Sequence, residues 1–385
     1  MSSPEFLADP ITHFRQMREN VPVYQREPGR WVLTRYRDCR AVLEDPRVKN
    51  IPKVRCHPDS KNTTQARPVD PDNVAASTIR KLVTRRFTPG ALKKIQPRVV
   101  AVANQVIDAA VAKNDVDFVE DVAYPLALGT LCEYLGVPQL GLNRFRGSAD
   151  HILRGFDNLI DGTEGLEGRV DHGMSGFSEF MRQAIDEKRR HPGEDLLSEL
   201  IERLNGIDPR LTYIDLPYAF ASVLISGYES SSSFFAGSGR AFAAFPEERR
   251  RFVADPSVHV SGVEELMRYC TPIWYIARQA FEDIEVGGHT IKEGDHIVPV
   301  LVAANRDPET FPDPDRLILD RSPNKHLAFG HGPHVCFAVT LTKLQAKLAL
   351  PLLLQKATGL RATGEPTYKE TVLVRNYASM PMRLV

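Results

Sequence analysis

The stretch NKHLAFGHGPHVCFAVTLTKLQAKLAL, residues 324–350, places Cys336 in a turn rich in glycine and histidine, immediately before a long apolar helical run. A cysteine in a folded chain is by default a small buried hydrophobe, and that reading serves for Cys39, Cys56, Cys132 and Cys270. Cys336 differs in its neighbours. Gly330, Gly332 and Pro333 make a tight turn whose backbone amides can approach a ligating sulfur, and Phe329 can shield that sulfur from water. A thiolate at a helix start is favoured further by the helix dipole and the exposed amides.

Working outward, 385 residues at 42% hydrophobic and 25% charged describe an ordinary globular chain able to bury a large core. No internal repeat, glycine/serine linker or low-complexity block marks a boundary, so residues 1–385 read as a single domain. Lysine plus arginine equals aspartate plus glutamate at 49 each, which argues against a global field for nucleic acid or membrane. The five cysteines are far apart and never in a C-x-x-C arrangement, so neither a disulfide framework nor an iron–sulfur cluster is expected. The start, MSSPEFLADPITHFRQM, lacks a signal-peptide pattern, and no segment has the roughly 20 apolar residues that span a bilayer. A soluble, cytoplasmic chain is the expectation.

Periodicity along the chain is mostly helical, which predicts a mainly α fold with a smaller β region (α+β). GRWVLTRY and IEVGGHTIKEGDHIVPV carry the alternation and glycine-centred turns of β-hairpins. The longest helix is predicted from about Tyr218 to Phe245, and residues 51–78 read as a polar, proline-bearing loop of the kind that forms lids. Within that helix Ser226, Glu229 and Ser230 stand at i, i+3 and i+4 and share one face. The plain reading is that the serines bond back to the preceding turn. The sharper one is a proton-delivery pair beside a buried reactive centre.

Phe329, Gly330, Gly332, His334 and Cys336 in FGHGPHVC resemble the haem-binding loop of the cytochrome P450 family, in which the cysteine thiolate is the axial iron ligand. Glu265 and Arg268 resemble the family's E-x-x-R pair, and Arg316 in FPDPDRL resembles its third, arginine member. ANRDP at 304–308 and RRFTP at 85–89 match bacterial members in order and spacing, so the resemblance covers nearly the whole chain. It implies a long central helix over buried haem b, with Glu265, Arg268 and Arg316 as a structural network.

The resemblance also implies the haem contacts: Arg80, Arg278 and His334 for the propionates, and Ala338 beneath the haem, where glycine is usual. Ala76 stands where relatives usually have a histidine, and Ser230 follows Glu229 where threonine is usual. Serine keeps the hydroxyl and loses the β-branch that stiffens its rotamer. The activity implied is insertion of one oxygen atom from dioxygen into a mid-sized organic substrate, with Glu229 and Ser230 supplying protons. Substrate contacts by position are Ser222, Val223, Ser226, Ile273, Trp274 and Tyr377, with the stretch Ile273–Ile276 and residues 151–180 nearby.

Electrons come from a ferredoxin and its reductase in this reading, because the chain has no dinucleotide fingerprint. From Asn73 to Ile107 there is no acidic residue, whereas Arg80, Lys81, Arg85, Arg86, Lys93, Lys94 and Arg98 are basic, a candidate docking patch. Two alternatives stand beside the monooxygenase. One is a haem-thiolate protein that uses peroxide or catalyses oxidative coupling. The other is a zinc site at His326, His331, His334 and Cys336.

Overall fold

The computed structural model describes residue 6 and residues 9–50, 83–138, 167–206, 211–369, 374 and 376–385. Of residues 167–176, 178, 211–215, 217–219, 221 and 222 it describes only the helical backbone. The 51–78 loop, Cys56, Ala76, Arg80, Lys81 and residues 151–166 therefore lie outside the described residues, as does the Ser222 side chain.

Asp9 caps the first helix, α1 (Pro10–Asn20), accepting from the Thr12 amide at 3.2 Å. Val23–Glu27 (β1) and Arg30–Leu33 (β2) form the hairpin expected from GRWVLTRY. Tyr36–Glu44 (α2) and Val48–Asn50 (β3) follow. The short Pro89–Lys93 (α3) leads into Gln96–Lys113 (α4), Asp115–Asp117 (β4) and Tyr124–Leu135 (α5). Glu167–Arg190 (α6) and Leu196–Asn205 (α7) precede the long helix, Leu211–Ala244 (α8).

This helix has 34 residues and starts earlier than predicted, running through Pro217, for a length of about 50 Å. Proline removes one amide donor, but Leu216, Phe220 and Leu224 are 0–1% exposed, and their packing carries the helix across that defect. Up to Tyr228, α8 packs with Leu131 and Leu135 of α5, Met181 and Ile185 of α6, and Leu200 and Leu204 of α7. From Phe234 onward it packs in a second cluster. That cluster also holds Ile107 of α4, Leu266 of the helix His259–Cys270 (α10), and Leu350 of a later helix, Val339–Lys356 (α12). Pro246–Ala254 (α9) lies between α8 and α10. The polar run from Glu229 to Ser233 thus sits at the seam between two apolar cores.

The remaining strands follow α10: Arg278–Ala280 (β5), Ile284–Val286 (β6), His289–Ile291 (β7) and His296–Pro299 (β8), then the short helix Leu301–Ala304 (α11). The five-stranded sheet has the order β1-β2-β8-β5-β3, with β2 and β8 parallel and the other pairs antiparallel. The β6–β7 hairpin is the one predicted from IEVGGHTI. After α12, Leu360–Ala362 (β9), Thr367–Tyr368 (β10), Tyr377–Ser379 (β11) and Pro381–Leu384 (β12) close the chain, with β12 between β4 and β9 and β10 paired to β11.

Candidate cofactor and active site

The loop before α12 is held at its start by Asn305, a fully buried residue of ANRDP. Its Oδ1 accepts from the Leu327 amide at 2.7 Å and its Nδ2 donates to Thr271 Oγ1 at 2.9 Å. Beyond that anchor the chain turns back on itself. The Gly330 amide donates to the Leu327 carbonyl at 2.8 Å, and the Cys336 amide to the Phe329 carbonyl at 3.0 Å. Gly330 and Gly332 both have φ of 71°, and a Cβ on Gly332 would stand 2.2 Å from the Leu43 carbonyl oxygen. Only glycine lets the turn lie against the end of α2 in that conformation.

Cys336 is exposed, whereas Cys39 and Cys132 are buried and Cys270 is half-buried. Although water reaches it, surrounding protein atoms desolvate its thiol and push its pKa up, while the amides of Ala338 and Val339 pull the other way. Ala338 is the N-cap of α12, so the sulfur stands at the amide end of an 18-residue helix. Val335 and Phe337 flank it, 50% and 43% exposed, an uncovered apolar surface on either side of the cysteine.

Arg278 is 8% exposed, and its Nη1 donates to the neutral carbonyl of Ala277 at 2.9 Å. No carboxylate pairs with it among the described residues, and desolvation alone pushes its pKa down to about 10. A haem propionate supplies the anion that a buried guanidinium without a carboxylate partner calls for. Sulfur, cation and uncovered apolar surface fit haem b.

The histidines of the loop diverge. His326 Nε2 meets Glu264 at 3.1 Å, His331 Nε2 meets Glu44 at 2.7 Å, and Asn50 Nδ2 donates to His334 Nδ1 at 3.3 Å. Among the described residues no group of three or more histidine, cysteine, aspartate or glutamate side chains could hold a metal ion, which removes the geometric basis of the zinc alternative. Phe329 packs against the second core cluster, with Lys343 Nζ 5.6 Å from its ring centroid.

Glu265 and Arg268 form a fully buried pair, joined by two hydrogen bonds of 2.8 Å. The third arginine is a correction. Arg316 is exposed and contributes its backbone carbonyl, which accepts from Arg268 Nη2 at 3.1 Å. Arg321 takes the predicted place, with its Nε 3.1 Å from both oxygens of Glu265, and Asn324 adds a further donor at 3.1 Å. FPDPDRL drew attention to Arg316, but its carbonyls at Pro312, Asp313, Pro314 and Arg316 are what serve the two guanidiniums.

On α8 the predicted face divides. Glu229 is 1% exposed, with Lys369 Nζ at 2.9 Å and Asn376 Nδ2 also donating to its carboxylate. Ser230 is half-buried, and its hydroxyl donates to the Ser226 carbonyl at 2.6 Å, the back-bond of the plain reading. Successive residues point about 100° apart around a helix, so Glu229 reaches the β10–β11 segment while Ser230 stays on the Ser226 side. Lys369 and Asn376 escaped sequence reading because each is a lone polar residue far from α8 in the chain.

Of the predicted substrate residues, Val223 and Ile273 pack on the first core cluster together with Ala338. Trp274 instead faces Phe14 edge-on at 5.9 Å, and its neighbour Tyr275 is fully buried. Tyr377 joins the second cluster, its ring 5.0 Å from that of Tyr368, and burial pushes its pKa up to about 12. The basic stretch is also divided: Arg85, Lys93, Lys94 and Arg98 are exposed, but Arg86 Nε is tied to Glu199 at 2.5 Å.

Comparison with known proteins places these features in context. The family model for Cytochrome P450 matches residues 261–372. Mycinamicin IV hydroxylase/epoxidase of Micromonospora griseorubida is 31% identical over 389 residues, 96% of this chain and 94% of that protein. The cytochrome P450 monooxygenase PikC of Streptomyces venezuelae is 30% identical over 391 residues, 98% of this chain and 92% of that protein. The crystal structure of P450BioI in complex with hexadec-9Z-enoic acid ligated acyl carrier protein superposes with a TM-score of 0.85 at 27% identity, covering 99% of this chain and 100% of that one.

Proposed function

We propose, from the premise that this chain belongs to the cytochrome P450 family, that it hydroxylates a mid-sized organic substrate of specialised metabolism with electrons from a ferredoxin and its reductase. The family makes it a haem-dependent oxidoreductase of the monooxygenase class, and no helix among the described residues is long and apolar enough to cross a membrane. Bound haem b supplies dioxygen activation, which thiolate ligation favours.

The chain's own residues have separable tasks in this reading. Cys336 supplies the thiolate, its orientation fixed by the hydrogen bond from its amide to Phe329. Arg278, with His334 and Arg80, meets the propionates; Arg80 lies outside the described residues. Val223, Ser226 and Ile273 border the substrate. Ser230, its hydrogen committed to the Ser226 carbonyl, offers its oxygen as an acceptor that positions water, and Glu229 governs the proton supply. A ferredoxin docks on the exposed Arg85 and Lys93.

The observation that carries the proposal is the joint placement of an accessible Cys336 at the amide end of α12 and a buried Arg278 with no carboxylate partner among the described residues. It is tested by the absorption spectrum of the reduced protein under carbon monoxide. The red-shifted band of a thiolate-ligated haem is expected in the wild type and in Cys39→Ser, Cys132→Ser and Cys270→Ser, and its loss in Cys336→Ser. Persistence of the band in Cys336→Ser overturns the ligand assignment. A second reading, peroxide use without dioxygen reduction, draws on Glu229 being held by Lys369 and Asn376, away from Ser230.

A further inference from the structure

At the corner where α3, the first turn of α4 and the end of α5 meet lies a cavity of about 240 Å³ whose lining shares no residue with the Cys336 loop. Arg86, Lys94 and Arg98 line it, together with Glu194. Lys94 and Arg98 have no carboxylate partner among the described residues, and Arg86 is oriented by Glu199. Glu194 is the one carboxylate in that lining, and Glu199 is shared between Arg86 and Arg203, so positive charge is in excess at the cavity.

Two further observations give that charge a direction. Helix α4 begins beside the cavity with no side-chain cap and no acidic residue in its first turn, so its amide end adds positive potential although Pro97 there carries no N–H. Tyr134 also lines the cavity; it is 4% exposed, and its hydroxyl has no hydrogen-bond partner among the described residues. A buried phenolic O–H calls for an acceptor. Arg86, paired with Glu199, lines the same cavity as this tyrosine. Ala91 and Ile95 add an apolar wall.

We propose that the cavity binds a small organic monoanion. Its carboxylate accepts from Tyr134, Arg98, Lys94 and the amide end of α4, and its apolar body lies on Ala91 and Ile95. The apolar wall of Ala91 and Ile95 favours an organic anion over inorganic phosphate, and the volume exceeds what a bare inorganic ion fills. The site is one ring removed from the thiolate loop, because Phe87 meets Tyr134 at 4.8 Å on one side and Phe337, the neighbour of Cys336, at 5.1 Å on the other.

The test is calorimetric titration of the full haem-loaded chain with benzoate, and with benzyl alcohol as its neutral counterpart. Saturable benzoate binding is expected, weakened about tenfold or more by Arg98→Gln and by Tyr134→Phe, since each removes a hydrogen bond to a charged group. Benzyl alcohol should give no saturable heat. If Tyr134→Phe does not fold, the exposed Arg98→Gln carries the test. No saturable heat with benzoate overturns the proposal, as does equal binding of the alcohol or undiminished benzoate affinity in Arg98→Gln, which would put the anion in another cavity.

Discussion

Lys369 holds the carboxylate of Glu229 at 2.9 Å, across a seam where the acid is 1% exposed and Asn376 is its other partner. Removing one member of such a pair strands the other, so Lys369→Met should cost about 3–5 kcal/mol in chemical denaturation. Glu229→Gln then separates two roles. If Glu229 governs proton supply, turnover of the folded, haem-loaded variant falls by about 10²–10⁴. If it only clamps α8 to the β10–β11 segment, stability falls while turnover per haem stays at the wild-type value.

Ser230 gives its hydrogen to the Ser226 carbonyl, which leaves its oxygen as an acceptor. Ser230→Ala should let oxygen uptake continue, with a larger share recovered as hydrogen peroxide and a smaller share as product. Ser230→Thr, whose β-branch narrows the rotamer choice, should couple uptake to product at least as well as serine. Unchanged peroxide and product yields in Ser230→Ala would favour the peroxide-using reading.

The buried carboxylate of Glu265 receives Arg268, Arg321, Asn324 and the Ile318 amide. Arg268→Met removes the bidentate partner of that carboxylate and leaves the carbonyls of Asn305, Pro314 and Arg316 without their donor, so a loss of about 3–5 kcal/mol is expected. Arg321→Met leaves the bidentate pair intact and should cost about 1–3 kcal/mol. Arg316→Met changes an exposed side chain and should stay within about 0.5 kcal/mol. Denaturation midpoints of the three variants rank them, and a large loss in Arg316→Met would restore it to the network.

The sequence made the cysteine loop and the E-x-x-R pair legible because both are local: spacing alone puts Cys336 at a helix start and Glu265 one turn from Arg268. Hairpins were legible for the same reason, since Gly287 and Gly288 mark the turn between β6 and β7. Partners separated by long stretches of chain were not. Arg321 and Arg316 are both arginines in one irregular segment, and only the path of the backbone decides which side chain turns inward. Glu229 meets Lys369 over 140 residues, and no periodicity carries that information. The start of α8 was misplaced because proline was read as a boundary, while the packing of Leu216 and Phe220 overrides it.

Arg85 and Lys93 are exposed, whereas Arg86 is committed to Glu199. Reversing Arg85 and Lys93 to glutamate should slow reduction by an acidic ferredoxin at low ionic strength, with the difference from wild type closing as salt screens the attraction. Stopped-flow reduction across a salt series measures this; equal rates at low salt would move the docking surface elsewhere. Arg86→Glu should behave differently, because it opposes Glu199 inside the fold and should lower stability as well.

Glu264 links α10 to the entry of the cofactor loop, accepting from His326 at 3.1 Å and from Lys343 at 2.7 Å. Burial disfavours its charged form, yet the His326 and Lys343 hydrogen bonds outweigh burial and hold its pKa down to about 2, against an ordinary value of 4.5. A carboxylate depressed in the folded state stabilises it fully above pH 4.5, and that contribution is lost as pH falls towards 2. Solvent reaches the Glu264 side chain, so screening reduces the contribution to about 1–2 kcal/mol. Glu264→Gln should therefore be less stable than wild type at pH 6 by about that amount, and the gap should narrow steadily between pH 4.5 and 2. Because His326 lies one residue before Leu327, the anchor bonded by Asn305, haem release in wild type should rise over the same interval, and Glu264→Gln should already release haem faster at pH 6. A stability gap that is as wide at pH 2.5 as at pH 6 would show that the Glu264 contribution is packing, with no part from its charge.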